Sequence, residues 1–298
     1  MRLAVFTKNR SNPAYAAARL GAERAARPFG AQVRHYVPKR PDDADQQSML
    51  VAEALDWQPD ALVFTPVHPT RLNPATAAVL ARGIPVFSFV SRLGTGRAIS
   101  HVSSSDARLA EDIVEYLARH VARHLEGHGR VLLVEGPTES PTSRERMAAF
   151  QAVLTRHPGL QTVGRLSGAY LREPARQAVA GWLAAGGQAD AVLAANDIMA
   201  VGVLDALAAA GQTAAVVGVN AIPEAIAAIR DGRMLATADF NAMQMAALAT
   251  ECAIRHLRGE AVPAEIALPV AIVDRGNAHL WDRPYEQRPL ATLQEIPT

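Results

Sequence analysis

Short apolar runs alternate with longer stretches of helical spacing along the chain. Four apolar runs in the first ninety residues, RLAVF, QVRHYV, DALVFTP and IPVFSFV, predict buried β-strands. The spacing between these runs predicts helices over 13–27, 45–55 and 74–82, and the first and third begin at a proline that follows an asparagine able to cap. This alternation is typical of βαβ units and a parallel sheet.

The alternation begins again in the second part of the chain. Helices are predicted over 106–125, 143–156, 174–185, 198–210 and 242–258, with one more starting near Pro223. The runs RVLLVEG, QTVGRLSG, AVLAAN, AAVVGVN, MLATADFN and IALPVAIVD predict strands, HVSSSD predicts a crossing between the halves, and the tail after Gly276 receives no element. Two similar halves predict two doubly wound α/β lobes with a ligand between them.

The composition excludes several classes of protein. Thirty basic and 29 acidic residues nearly cancel, so no nucleic-acid partner is expected. No run approaches the roughly 20 apolar residues of a membrane span, which predicts a soluble protein. Strand-like RLAVF opens the chain, so we expect either a secreted protein after removal of its signal or a cytoplasmic one. The single cysteine, Cys252, lies in an apolar helical run and is expected to be a packed thiol without a disulfide.

Motifs for common cofactors and catalytic nucleophiles are absent from the sequence. The turn after the first strand, TKNRSNPAY, has no glycine for a dinucleotide, and neither a Walker motif nor a G-x-S-x-G elbow occurs. His120, His124 and His128 could face a metal together, but a solvated helix end explains them better because no H-E-x-x-H pattern is present. We therefore expect no catalytic residues, no metal and no cofactor.

Polar and aromatic side chains instead follow the predicted strands. In the first half these are Lys8, Asn9, Asn12 and Tyr15. The simpler alternatives are a solvated loop lysine, a helix cap at Asn12 and a core aromatic at Tyr15. Because open α/β sheets bind ligands at the carboxyl ends of their strands, we expect these four side chains to contact a ligand.

The second half repeats this arrangement with Arg146, Asn196, Asn220, Asp239 and Phe240. An arginine near a helix N-terminus gains nothing from the helix dipole, so Arg146 is expected either to bind ligand hydroxyls or to pair with Glu139 or Glu145. Planar polar groups suit vicinal hydroxyls and aromatic rings suit the apolar face of a sugar. The set therefore predicts a polyol ligand.

The order and spacing of several motifs resemble the type I periplasmic sugar-binding proteins of ABC importers, the ribose-binding-like family. The resemblance covers residues 2–275 and rests on NPAY, GIPVFSF, HVSSSD, EGP followed by SRERMAAF, AANDIMAVGVLDAL, VVGVNAIPEAIAAIRDGRMLATADF and LRGEAVP. It implies two lobes joined by a three-segment hinge near residues 104, 238 and 268, which close around a sugar. The N-terminal lobe would comprise 1–104 and 238–266, and the C-terminal lobe 105–237 and 267–298.

The resemblance also implies individual ligand contacts. Asn12, Tyr15, Arg146 and Asn196 match family ligand residues, and Tyr170 matches an aromatic wall. Asn220 replaces an aspartate and Phe240 a glutamine of the ribose binders.

An Asp-Arg pair that follows the fourth strand in the family is replaced here by Val90 and Ser91, with Arg92 one place later. We expect Ser91 and Arg92 to contact the ligand in place of that pair. The pocket would then hold Lys8, Arg92 and Arg146 against Asp239 alone, which suits a short sugar, a sugar alcohol or a sugar acid.

The prediction is a monomeric, periplasmic solute-binding protein that carries a sugar or polyol to an ABC permease and is not an enzyme. Three alternatives are a sensor subunit with the same pocket, the effector domain of a LacI-type repressor, and an enzyme acting on a polyol with metal at the histidine stripe. The repressor is disfavoured because the first strand begins at Arg2, with no helix-turn-helix before it.

Overall fold

A computed structural model describes residues 1–296 of the chain, which divides into two units. Unit 1 comprises Met1–Ser104, Asn241–Leu268 and the described residues from Tyr285 onward, and unit 2 comprises Ser105–Phe240 and Pro269–Pro284. No helix within residues 1–296 combines the length and the apolar character needed to cross a bilayer.

Strands and helices alternate along the chain as the sequence predicts. The first elements are β1 (Arg2–Phe6), α1 (Pro13–Ala26), β2 (Gln32–Tyr36), α2 (Ala44–Asp56), β3 (Ala61–Phe64), α3 (Asn73–Ala81), β4 (Val86–Phe89) and β5 (Ser100–Ser103). They are followed by α4 (Asp106–His124), β6 (Gly129–Glu135), α5 (Pro141–Leu154), β7 (Leu160–Ser167), α6 (Arg172–Ala184), β8 (Ala191–Ala194), α7 (Asp197–Ala209), β9 (Ala215–Val219) and α8 (Pro223–Arg230). The last are β10 (Ala236–Asp239), α9 (Ala242–Leu257), β11 (Glu265–Ala267) and β12 (Ala271–Asp274), with short 3₁₀ turns at Arg27–Phe29, Ala278–Leu280, Tyr285–Gln287 and Leu293–Glu295.

Each unit is built on one six-stranded sheet. The strand order is β11-β5-β4-β3-β1-β2 in unit 1, where all neighbours are parallel. In unit 2 the order is β12-β10-β9-β8-β6-β7, and only β12 runs antiparallel to its neighbour. The polar loops that follow the parallel strands of a unit therefore lie at the same edge of its sheet.

The core of unit 1 contains aromatic side chains from adjacent strands. Phe6 stacks on Tyr36 with ring centroids 5.0 Å apart and meets Phe64 edge-on at 5.2 Å. On the far side of the sheet Cys252 is buried, and Ser100 Oγ donates to its sulfur over 3.6 Å. Burial raises the pKa of this thiol to about 11, and the expectation of a packed thiol is confirmed.

Two segments, HVSSSD and IALPVAIVD, form different strands from those that the sequence predicts. HVSSSD contains the passage from unit 1 to unit 2, between Ser104 and Ser105, as expected, but its first residues also form part of β5, which lies between β4 and β11. Its polar residues do not resemble a buried strand, but His101 is buried in the fold because its Nδ1 lies 2.8 Å from Ser88 Oγ.

IALPVAIVD was expected to be one strand but contributes to two, β11 and β12, in different sheets. Pro269, which has no backbone N–H, lies between them.

The unit boundaries also differ from the predicted domains at three places. Residues 267 and 268 were placed in the C-terminal lobe but belong to unit 1. β10 pairs with β9 and β12, so residues 238–240 belong to unit 2 rather than to the N-terminal lobe. The tail from Tyr285 was placed in the C-terminal lobe but packs on unit 1. There the Gln244 amide donates to the Ala291 carbonyl over 2.6 Å and accepts from its N–H over 2.8 Å, and Leu293 N donates to Glu251 over 2.9 Å.

Asn12 and Asn73 each precede a proline and were expected to cap a helix, but only Asn12 does so. Asn12 caps α1, because its Oδ1 accepts from Ala14 N over 3.0 Å. Asn73, the other asparagine before a proline, is the first residue of α3, and the cap position is Leu72 without a side-chain bond.

Close packing of α1 against α9 depends on Gly21. A Cβ at Gly21 would lie 2.2 Å from the Met243 carbonyl oxygen, whereas a Cβ at Gly181 in α6 would meet nothing within 4 Å. Gly21→Ala should lower the free energy of unfolding by about 1–3 kcal/mol because the two helices must separate. Gly181→Ala, the matched control, should raise it by up to about 1 kcal/mol through helix propensity. Urea unfolding measures both, and equal effects would contradict this account of the contact.

Candidate ligand-binding site

The predicted ligand residues all lie at or just beyond the carboxyl ends of parallel strands. Those of unit 1 follow β1 (Lys8, Asn9, Asn12 and, inside α1, Tyr15) and β4 (Ser91, Arg92). Those of unit 2 follow β6 (Arg146, inside α5), β7 (Tyr170), β8 (Asn196), β9 (Asn220) and β10 (Phe240), and Asp239 is the last residue of β10. Each unit thus has one polar edge, and their roles in binding remain predictions.

The loop after β1 is ordered by its own asparagines. Asn9 Oδ1 accepts from Asn12 N over 3.0 Å, and Asn12 Oδ1 in turn caps α1. Lys8, Asn9, Asn12 and Tyr15 are all buried, with Lys8 only 3% exposed. A solvated loop lysine, one of the alternatives from the sequence, is therefore wrong.

Asp42, which the sequence analysis did not single out, lies beside this loop. Its N–H donates to the Lys8 carbonyl over 3.3 Å, and its carboxyl group faces the Lys8 amine and the Asn9 side chain. Burial raises the pKa of Asp42, and Lys8 and Asn9 oppose that rise. No sequence motif indicates this position, because β1 and β2 become neighbours only in the folded sheet.

Arg92 has a carboxylate partner of its own. Its two terminal nitrogens donate to the two oxygens of Glu265 over 2.6 and 2.9 Å, and both side chains are more than half exposed. The pair lines a cavity of about 120 Å³ with Ser88 and His101. The guanidinium is thus bound at the β5–β11 side of the sheet.

The backbone after β4 is strained. Val90 has a φ of 62°, in the left-handed region that β-branched residues avoid, and Ser91 N donates to the Phe89 carbonyl over 2.7 Å to form a γ-turn. Such strain persists where the surrounding structure imposes it, and it clusters at functional sites. Ser91 is held in place by this turn.

Arg146 is anchored inside unit 2. One terminal nitrogen donates to the Ala195 carbonyl over 2.7 Å and the other to Asp106 Oδ1 over 3.1 Å. Only 6% of the residue is exposed. An acid that bonds to Arg146 is therefore Asp106, which the sequence analysis did not consider.

The expectation of a pocket with three cations against Asp239 alone is wrong. Lys8 faces Asp42, Arg92 binds Glu265 and Arg146 binds Asp106. Each cation is balanced by an acid that is distant in sequence or lies on another element.

The Asn-Asp pair after β8 orders the neighbouring strand ends. Asn196 Oδ1 caps α7 by accepting from Met199 N over 3.0 Å. Asp197 is fully buried and accepts from Thr237 Oγ1 over 2.7 Å and from Ile222 N over 3.0 Å. These bonds link the ends of β8, β9 and β10. Burial raises the pKa of Asp197 to about 7; the Thr237 and Ile222 donors lower it, and the charge of Asp239 adds to the rise.

The turn after β9 carries Asn220 in an unusual backbone conformation. Asn220 has a φ of 122° and Ala221 a φ of 52°, and Asn220 N donates to the Ala238 carbonyl over 2.9 Å. The hydrogen bonds of Asp197 to Ile222 and Thr237 bracket this turn. They hold Asn220 at the edge of the sheet despite the strain.

Two aromatic residues complete the edge of unit 2. Tyr170 has a φ of 58°, and its ring lies over Gly136, where a Cβ would be 2.4 Å from Cζ. Trp281, in the tail that received no element, donates from Nε1 to Asp239 Oδ2 over 2.8 Å. Phe240 is 7% exposed. Trp281 could not be found from sequence because the tail has no periodicity.

His120 and His124, from the predicted histidine stripe, lie on α4, which carries none of the predicted ligand residues. The rings of His120 and His124 lie 4.5 Å apart, and burial and the neighbouring His124 lower the pKa of His120. Within residues 1–296 no group of three metal-binding side chains occurs.

The comparison with protein families agrees with this architecture. Residues 3–261 match the family described as periplasmic binding protein domain, and the chain belongs to this family. The family resemblance and the two-lobed α/β fold class predicted from the sequence are confirmed.

Named relatives are similar over most of the chain. The xylitol-binding protein of Mycolicibacterium smegmatis is 24% identical over 79% of this chain and 67% of that protein. The ribose import binding protein RbsB of Bacillus subtilis is 26% identical over 91% of this chain and 85% of that protein. An ABC transporter solute binding protein from Mycobacterium smegmatis, solved with bound glycerol, is 27% identical, with a TM-score of 0.84 and coverage of 94% and 96%.

The buried Asp197 generates a pH prediction. Its folded pKa lies above the ordinary value of about 4, so the protonated form is favoured in the fold. Its contribution to stability is then fully present below about pH 4 and is lost as the pH rises towards 7. In urea unfolding at a series of pH values, wild type should lose stability relative to Asp197→Asn over this range. A difference that does not change with pH would contradict the raised pKa.

Proposed function

We propose that the chain is the solute-binding component of an ABC importer and that it binds an uncharged sugar or sugar alcohol in the periplasm. The support is the family membership, together with relatives whose names include xylitol and ribose binding. The observation that carries the proposal is that the predicted ligand residues follow the carboxyl ends of parallel strands, apart from Arg92, whose guanidinium binds Glu265, the first residue of β11.

The chemistry of these side chains suits hydroxyl groups. Asparagine amides, a guanidinium and carboxylates supply donors and acceptors of the kind that a vicinal diol requires. Tyr15, Tyr170 and Phe240 supply aromatic faces for the C–H side of a sugar. Among the predicted residues no nucleophile is paired with a base, so binding without chemistry is the function that this set supports.

The balance of charge favours a neutral ligand over a sugar acid. Lys8, Arg92 and Arg146 each have a carboxylate neighbour, so no excess positive charge remains on them to attract an anion. Burying a ligand carboxylate beside these pairs would place like charges together, which is costly in a poorly solvated site.

Thermal unfolding against a compound library tests the proposal. A ligand that binds only the folded protein stabilises it by about 2.7 kcal/mol at 100 times its dissociation constant. Xylitol, ribitol, D-ribose and myo-inositol are compared with xylonate and ribonate. We expect a shift with at least one neutral compound, recovered unaltered, and a smaller one with the acids. A response to acids alone would overturn the charge argument, and no response to any sugar or polyol would overturn the proposal.

Arg146→Ala tests the contribution of unit 2. It should weaken binding by several kcal/mol, because it removes a buried charge-assisted donor. Arg156→Ala, in an exposed pair with Glu111, is the control and should leave affinity unchanged. Calorimetry gives the affinities, and the unfolding midpoint without ligand separates lost binding from lost folding. Wild-type affinity in a folded Arg146→Ala variant would remove Arg146 from the site.

A further inference from the structure

Two consecutive acids follow β2, and their environments differ. Asp43 is the cap of α2: its Oδ1 accepts from Asp45 N and Gln46 N, both over 3.0 Å, and its Oδ2 accepts from Gln46 Nε2 over 2.9 Å. Both oxygens of Asp43 are therefore used by the local structure.

Asp42 precedes this cap, and the Asn9 side chain forms a hydrogen bond with its carboxyl group. Its Oδ1 is buried and receives no hydrogen bond from any residue that the structure describes. A buried carboxylate oxygen without a donor costs free energy, so such groups in folded proteins are met by a ligand or an ordered water. A donor on a ligand or a water would satisfy this oxygen.

The backbone holds Asp42 in this position at a cost. Its φ of 55° lies in the left-handed region, which aspartate adopts more readily than most residues but still infrequently. The bond from its N–H to the Lys8 carbonyl fixes it against the loop after β1. The carboxyl group is thus presented next to Lys8 and Asn9, two predicted ligand residues.

A carboxylate beside an ammonium and an amide can form hydrogen bonds with both hydroxyls of a vicinal diol. The carboxylate accepts from one hydroxyl, and the ammonium or the amide donates to the next. Val90 and Ser91, which follow β4, are not acids, whereas Asp42 lies beside the loop after β1.

We propose that Asp42 is a specificity-determining residue of unit 1, whose Oδ1 accepts a hydrogen bond from a ligand hydroxyl. The inference rests on the proposed function, since it names a further residue of the same site. Lys8 opposes the rise that burial causes in the pKa of Asp42, and it contributes to neutral-ligand binding through Asp42.

Two variants test this role with the neutral probes xylitol, ribitol and D-ribose. Asp42→Asn keeps the shape and tolerates a positive φ, and Asp42→Gly removes the carboxyl while relieving the backbone. Each should weaken the best wild-type probe about 10- to 100-fold by calorimetry, the loss expected for a hydrogen bond to a charged acceptor. Their unfolding midpoints without ligand should stay near wild type or rise.

Asp45→Asn is the matched control. Asp45 lies three residues further on, in the first turn of α2, has the same carboxylate side chain and forms an exposed pair with Arg71. Its removal should leave the affinity within about twofold of wild type, since exposed pairs contribute little. An equal loss in Asp45→Asn would show that net charge, not Asp42 itself, sets the affinity.

The outcomes separate the two proposals. If wild type binds a probe and both folded Asp42 variants bind it as tightly, the role of Asp42 is wrong and a water is the partner of Oδ1. If wild type binds no sugar or polyol, the proposed function fails and the role of Asp42 fails with it. Weaker binding in both Asp42 variants, with wild-type binding in Asp45→Asn, supports the inference.

Discussion

Parallel strand pairing is the constraint on which the functional edges depend. A parallel strand cannot turn directly into its neighbour, so most connections cross over through a helix, and the parallel strands of a unit end at the same edge. In unit 1 this edge collects the loops after β1, β2 and β4, which are far apart in sequence. In unit 2 it collects the turns after β6, β7, β8, β9 and β10. Residues that share no local motif thus become neighbours.

The turns at these edges are held by interactions that override local backbone preference. Val90, Tyr170 and Asn220 all have positive φ, and each follows a strand directly or within three residues. Such conformations cost about 1–3 kcal/mol each and need support from the surroundings. For Asn220 the support is the carboxylate of Asp197, which binds Ile222 N and Thr237 Oγ1. These bonds hold the backbone of the turn after β9 in its strained conformation.

Pairing of charges gives these edges their chemical character. A polar edge rich in lysine and arginine would attract anions, but the acids that face the cations cancel this field. What remains is a set of hydrogen-bond donors and acceptors. Such a set suits hydroxyl groups, which both donate and accept hydrogen bonds. Asp42 extends this argument because it combines a charge balance with an oxygen that has no donor within the described chain.

The sequence by itself determined the element order, the two α/β halves and the positions that follow the strands, because periodicity and capping are local properties. Tertiary structure decided the strand β5, whose polar residues are satisfied only by Ser88 and Cys252, and the docking of the tail on α9. It also decided the charge partners. Arg146 meets Asp106 across 40 positions and Arg92 meets Glu265 across 173, and no local pattern records such pairs. Electrostatic balance is a property of neighbours in space, and those neighbours exist only once the sheets have formed.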